Sequence, residues 1–253
     1  MDINGKIIVI TGAGSGMGAE TAIYLQERGA RVAVIDINLA AAEKIAGRIG
    51  GLAIQCDVTN PDEANHALDI VNQGLGTPQV LINCAGIAPA GRILGREGPM
   101  PLDDFRKAIE INLVGSFNML RLVAERIAKH ELTGQEEQGV IINTASVAAF
   151  EGQIGQCAYS ASKGGICALT LPAARELARF GIRVMTIAPG LIDTPLFDNF
   201  SNDIQASLAS QVPFPKRLGR PIEFAMLVEQ IIQNPYLNGE VIRLDGAIRM
   251  QPK

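Results

Sequence analysis

The chain of 253 residues has no tryptophan, three tyrosines and two histidines, and aromatic residues make up only 4% of it. A core this poor in rings must be filled by Val, Ile, Leu and Ala, and the 47% apolar content is enough to do so. His66 and His130 stand apart from the four cysteines, Cys56, Cys84, Cys157 and Cys167, and no CxxC spacing occurs. That excludes a sequence-evident metal site and a Cys–His nucleophile. The cysteines read as reduced packing residues, which places the chain in a reducing compartment: the cytoplasm, or the mitochondrial matrix in a eukaryote. Charge of either sign is also scarce. Lys and Arg number 22 against 26 Asp and Glu, a net charge of −4, so there is no basic field for nucleic acid or an anionic membrane. No apolar run reaches membrane-spanning length. The chain enters a strand almost at once, which leaves no room for a signal peptide.

Short β-branched runs are plentiful. Lys6–Ile10 suits a buried parallel strand. The glycine-rich turn Thr11–Gly18 follows it, then a helix over Ala19–Gly29, then a second apolar strand, Arg31–Ile35, ending at Asp36. Glycines let a backbone approach a pyrophosphate, and a helix N-terminus favours its charge. Asp36 falls 18 residues after Gly18, the place of an acid on a ribose 2′-hydroxyl. A carboxylate accepts from that hydroxyl and repels a 2′-phosphate. With Ser15 and Ile37 the neighbours able to compensate, and neither basic, NAD is favoured over NADP.

Further strands are expected at Leu52–Cys56, Val80–Asn83, Gly139–Asn143, Arg183–Ile187 and Glu240–Leu244. Helices are expected at Ala41–Ile49, Pro61–Gly74, Leu102–His130, Ala158–Phe180 and Ile222–Gln233. The alternation predicts an α/β fold: a doubly wound parallel sheet (Rossmann fold), three-layer α/β/α, in one domain spanning residues 1–253. Two irregular segments, Ala88–Pro101 and Leu191–Arg220, follow strand ends on the ligand side. They are read as substrate-pocket walls, with Leu191–Arg220 as the mobile lid.

Tyr159 and Lys163 are four apart on an expected helix and therefore share a face. A free phenol titrates near about 10, and lowering it by about 3 units takes roughly 4 kcal/mol. One positive charge at about 4 Å, in an effective dielectric near 20, supplies about that much. The spacing predicts that Lys163 makes Tyr159 a general acid/base; a solvated helix face is the alternative.

Together these residues resemble the short-chain dehydrogenase/reductase family over nearly the whole chain. Thr11–Gly18 fits its TGxxxGxG turn, Asp57-Val58 its adenine-contacting pair, and Asn83-Cys84-Ala85-Gly86 its NNAG element, with Cys84 replacing an Asn. Asn112 fits the helix Asn of a proton relay, and Ser146 lies 13 residues before Tyr159, the family's usual spacing. The resemblance implies a catalytic set of Ser146, Tyr159, Lys163 and Asn112. Tyr159 would exchange the proton, Lys163 would also bond the nicotinamide ribose, and Ser146 would hold the substrate oxygen. The cofactor would meet Gly12, Ser15, Gly16, Met17, Gly18, Asp36, Asp57, Val58, Cys84, Ala85 and Gly86. Its nicotinamide end would meet Pro189, Ile192 and Thr194. Gln153 reaches the substrate's polar group or stays a plain surface residue. Arg92, Arg96, Lys216, Arg217 and Arg220 meet CoA phosphates or remain solvated. Within the family the chain is similar to the subgroup that interconverts 3-hydroxyacyl-CoA and 3-ketoacyl-CoA with NAD. A hydroxysteroid or secondary-alcohol dehydrogenase is one rival reading, and a non-catalytic nucleotide-binding scaffold another. An NADP-linked reductase of fatty-acid synthesis is disfavoured by Asp36. The family also implies a homotetramer, with Leu237–Met250 as an interface, and no nucleic-acid or membrane partner.

Overall fold

A computed structural model describes residues 1–130, 136–195 and 202–252. Seven parallel strands form one sheet in the order β3-β2-β1-β4-β5-β6-β7. They are β1 (Ile7–Thr11), β2 (Arg31–Asp36), β3 (Leu52–Gln55), β4 (Val80–Asn83), β5 (Gly139–Thr144), β6 (Ile182–Pro189) and β7 (Val241–Leu244). The helices are α1 (Gly16–Gln26), α2 (Leu39–Ile49), α3 (Pro61–Gly74), α4 (Leu102–Ile109), α5 (Gly115–Lys129), α6 (Cys157–Leu177), α7 (Asn202–Ser210) and α8 (Pro221–Gln233). The order of strands reverses between β1 and β4, and a doubly wound sheet opens its ligand crevice at that switch point.

Strict alternation along the strands separates two cores. Ile8 and Ile10 of β1, Val32 and Val34 of β2 and Ile142 of β5 face α1, α2 and α8, where Leu25, Ala46 and Phe224 meet them. Ile7, Val9, Ile35 and Ile141 face the other way, onto Leu68 of α3, Met119 and Val123 of α5 and Ala174 of α6. Both faces of the sheet are thus covered, as a parallel sheet requires. α2 and α3 begin where short polar side chains cap them: Asn38 accepts from the Ala41 N–H ahead of α2, and Asn60 from the Asp62 and Glu63 N–H groups ahead of α3, with Pro61 in the first turn.

The expected elements are present, with two differences. The long helix anticipated over Leu102–His130 is α4 and α5 joined by a π turn, Glu110–Val114, in which the Gly115 N–H reaches back to the Glu110 carbonyl. And α7 lies inside the segment Leu191–Arg220, which was expected to be irregular throughout. Residues 196–201 of that segment, and with them part of the expected lid, lie outside the described residues. Where the segment leaves and rejoins the body, Ile192 pairs with Gly219, the Asp193 N–H donating to the Gly219 carbonyl at 2.8 Å. Among the described residues no helix is long and apolar enough to cross a membrane.

Candidate active site

A cavity of about 700 Å³ opens at the C-terminal ends of the central strands. Its size is within the range of small-molecule and cofactor sites. Each loop that walls it leaves the sheet within a few residues of a strand end.

The turn after β1 is pressed against the loop after β4. Gly12 has φ +62°, and a Cβ there would stand 2.7 Å from the Ala85 Cα, so only glycine fits. The same two loops are joined by Thr11, whose Oγ1 accepts from the Ala85 N–H at 3.2 Å. α1 then starts at the cavity. Its N-cap, Ser15, makes no side-chain capping bond, and its first turn holds no acid. The first N–H groups of α1 are therefore left for an anion, and Ser15, Gly16, Met17 and Gly18 all line the cavity. Asp36 closes this end. Its Oδ2 accepts from the Gly14 N–H and its Oδ1 from the Asn38 N–H, both at 2.9 Å, so the carboxylate shapes the glycine turn while lining the cavity. Asp57 is fixed by Thr59, whose N–H and hydroxyl donate to its Oδ1 at 2.9 and 2.7 Å. Val58 is buried beside it. An uncapped helix start, a glycine cradle and the Asp36 carboxylate around one cavity fit a dinucleotide.

The reacting end is built by β4, β5, α6 and the π turn. Lys163 is only 6% exposed, and its Nζ donates to the Thr144 carbonyl at 2.7 Å. Burial holds its pKa down at about 8, against an ordinary 10.5. The ammonium stands 5.9 Å from the centroid of the Tyr159 ring. Tyr159 lies on the cavity wall, and burial raises the pKa of its phenol, while a hydrogen bond with Ser146 pulls the other way. This corrects the expectation that Lys163 depresses the phenol. The shared helix face is real, but the ammonium is drawn to the Thr144 carbonyl, and loss of water around the phenol dominates. Ser146 Oγ also accepts from the Ala148 N–H at 3.1 Å, which fixes its rotamer at the start of a 3-10 turn, Val147–Ala149. Cys84 lines the cavity, with the Thr144 hydroxyl 3.7 Å from its Sγ. Its thiol is pushed up to about 11 by burial and stays protonated.

Asn112 is wholly buried in the π turn and lies behind the cavity wall. Its Oδ1 accepts from the Ile87 N–H at 2.8 Å, and its Nδ2 donates to the Ile87 carbonyl and to Ser162 Oγ, both at 2.9 Å. Ser162 in turn donates to the Tyr159 carbonyl at 2.7 Å. One side chain thus locks the loop after β4 to the helix that carries Tyr159. A Cβ on Gly86 would stand 2.9 Å from Asn112 Oδ1 and 3.5 Å from Lys163 Nζ, which shows how closely these groups converge.

The expected cofactor residues from Gly12 through Thr194 all border this one cavity, as does Ser146. Gln153 does not. Its Nε2 donates to the Gln251 carbonyl at 3.0 Å, and Gln156, three residues on, lines the cavity instead. Of the five cations considered for phosphate contacts, Arg217 is paired with Glu223 at 2.6 Å and Arg220 lies 3.8 Å from the same carboxylate, while Arg92, Arg96 and Lys216 are exposed. Sequence reasoning missed Thr144, Ser162, Lys107 and Met250. Ser162 sits within the Tyr159–Lys163 run and was legible as a buried helix polar residue. Lys107 and Met250 line the cavity with no local motif to announce them.

The model of the short chain dehydrogenase family matches residues 6–205. The chain is 50% identical, over 99% of its length and 97% of theirs, to 3-hydroxyacyl-CoA dehydrogenase type-2 of Homo sapiens and of Rattus norvegicus. The crystal structure of 3-hydroxyacyl-CoA dehydrogenase type-2 from Mycobacterium avium matches with a TM-score of 0.94 at 40% identity, covering 98% of each chain. A 7α-hydroxysteroid dehydrogenase complexed with NADH and 7-oxo glycochenodeoxycholic acid matches with a TM-score of 0.89 at 32% identity, covering 99% of this chain and 97% of the other.

Proposed function

The chain belongs to the short-chain dehydrogenase family of oxidoreductases, and from that premise we propose that it interconverts 3-hydroxyacyl-CoA and 3-ketoacyl-CoA with NAD. The observation that carries the reading is the convergence of Tyr159, Ser146 and Lys163 on the cavity whose other end is the uncapped start of α1 beside Asp36. The nicotinamide, when bound, supplies the hydride acceptor or donor. The first amides of α1 would hold the pyrophosphate, Asp36 the adenosine ribose, and Asp57 and Val58 the adenine, with Ala85, Gly86, Pro189, Ile192 and Thr194 holding the nicotinamide end. Asp36 favours NAD because its charge opposes a 2′-phosphate.

The raised phenol suits reduction. Tyr159 stays protonated at neutral pH, so its Oη has a proton to give to the substrate oxygen. Ser146 Oγ, within reach of the phenol, orients the same oxygen and stabilises the phenolate that remains. Lys163 Nζ, charged at neutral pH, is held by the Thr144 carbonyl 5.9 Å from the centroid of the Tyr159 ring, where it would bond the nicotinamide ribose. In oxidation the proton runs the other way. Asn112 acts on Tyr159 through Ser162, as a positioning residue.

The 50% identity to acyl-CoA enzymes, against 32% to the bile-acid enzyme, favours the thioester over a steroid. Exposed Arg92, Arg96 and Lys216 supply cations for CoA phosphates at the irregular segments. The half-exposed edge strand β7 and the exposed Val114 and Phe117 fit assembly of copies, for which a homotetramer is the expected state, readable by light scattering. The four free cysteines fit a reducing compartment. The test is the initial rate with acetoacetyl-CoA and NADH beside a free ketone of the same chain length. Turnover that needs the CoA ester supports the reading, and turnover of the free ketone alone overturns it.

A further inference from the structure

The loop between Ser146 and Tyr159 has little internal structure beyond the turn Val147–Ala149, yet it joins two residues that must hold their places on one cavity wall. It is held from outside. Glu151 accepts from Arg243 Nη1 at 2.7 Å, from Arg243 Nη2 at 3.1 Å and from the Met250 N–H at 3.2 Å, and Arg249 Nε lies 3.3 Å from it. The Ile154 N–H donates to the Pro252 carbonyl at 3.0 Å, and Gln153 Nε2 to the Gln251 carbonyl at 3.0 Å. Arg243 is itself oriented by Asp245 at 2.7 Å and donates to the Ile248 carbonyl at 3.1 Å. On the opposite side the Gly91 N–H donates to the Gly155 carbonyl at 2.8 Å. Met250, half-buried within this set of contacts, lines the cavity.

We infer that residues 246–252 form a strap that builds the substrate end of the cavity, held by Glu151 and Gln153 as positioning residues, with Met250 as the specificity-determining contact. The strap rests on the proposed reaction only for the identity of its substrate. Three features argue for it. The strap's own anchors differ in kind: the Met250 N–H and Arg249 on Glu151, the Gln153 amide on the Gln251 carbonyl, and the Ile154 N–H on the Pro252 carbonyl. The Glu151–Arg243 pair is only 23% and 22% exposed, so water and salt screen it less than a surface pair. And three of the strap's anchors, Glu151, Gln153 and Ile154, fall on the loop that follows Ser146, while the Gly246 carbonyl at its start accepts from the Phe214 N–H at 3.3 Å. A flexible thioether at the wall adapts to acyl groups of differing shape. Gln153 thus has a role that its place between Ser146 and Tyr159 suggested only in location: it holds the wall instead of touching the substrate.

Steady-state kinetics with acetoacetyl-CoA and NADH on Glu151→Gln, Met250→Ala and Met250→Leu test this. Glu151→Gln should raise the KM for acetoacetyl-CoA about tenfold, on the order of one charge-assisted hydrogen bond, Met250→Ala should raise it about tenfold through lost apolar contact, and both should leave the KM for NADH unchanged. Met250→Leu, which conserves volume, should raise the acetoacetyl-CoA KM less than Met250→Ala does. Hydrogen–deuterium exchange supplies a readout that needs no turnover: the Ile154 and Met250 amides should exchange faster in Glu151→Gln and not in Met250→Leu. Unchanged exchange together with an unchanged acetoacetyl-CoA KM in Glu151→Gln overturns the strap. If the wild type does not reduce acetoacetyl-CoA while exchange still accelerates in Glu151→Gln, the strap stands and the substrate reading falls.

Discussion

Replacing Lys163 by Met should abolish activity and, at neutral pH, make the fold more stable. The ammonium is 6% exposed, and its pKa is held at about 8 against 10.5 in an unfolded chain. That difference corresponds to a penalty of about 3 kcal/mol, at about 1.36 kcal/mol per pH unit. The sign follows from proton counting. Between pH 8 and 10.5 the unfolded chain holds this proton and the folded one does not, so stability rises with pH. Below about 8 both states carry the charge and the penalty is fully present; above 10.5 neither does and it vanishes. Met removes the charge and also leaves the Thr144 carbonyl without its donor, which costs about 1–3 kcal/mol. The net gain at pH 7 is therefore modest, on the order of 1 kcal/mol. The change with pH is the sharper observable, since the lost carbonyl bond does not titrate. Denaturant unfolding of wild type and Lys163→Met at pH 7, 8, 9 and 10 should show the wild type gaining on the variant by about 2–3 kcal/mol across the series. A difference that stays constant with pH, or that moves the other way, refutes the claim that a buried charge is retained here for function at the expense of stability.

Two further outcomes are expected. Gly12→Ala forces a side chain into a left-handed turn and against the Ala85 backbone at 2.7 Å; it should cost about 2–4 kcal/mol by denaturant unfolding and raise the KM for NADH. Asp36→Asn removes the charge at the cavity's edge while keeping one acceptor oxygen for a backbone N–H. The ratio of kcat/KM for NADPH to that for NADH should rise by about tenfold or more, and a ratio that does not move takes Asp36 out of cofactor choice.

The sheet was legible because burial on both faces demands apolar, largely β-branched runs, and such runs mark β1, β2, β5 and β6 plainly. The glycine turn was legible for a related reason: the close approach of Gly12 to Ala85 admits no other residue. What failed to show in the sequence was direction. Tyr159 and Lys163 do share a helix face, but the spacing carried no word of the Thr144 carbonyl, which comes from β5 and takes the ammonium. Gln153 sits in sequence between two site residues, and only the return of residues 246–252 shows that its amide turns outward to the strap. The π turn at Glu110–Val114 was not anticipated because Leu102–Val114 holds no Pro or Gly to mark a break in the helix. α7 was missed because it is short and follows a stretch of Pro, Phe and small residues that reads as loop.

The most direct measurement is the single-turnover and steady-state reduction of acetoacetyl-CoA by NADH in wild type and Tyr159→Phe side by side. The phenol is the one group the account uses to deliver the proton, and its loss should lower kcat by about 10²–10⁴-fold with NADH binding retained. Turnover by Tyr159→Phe close to that of the wild type would contradict the account at its centre.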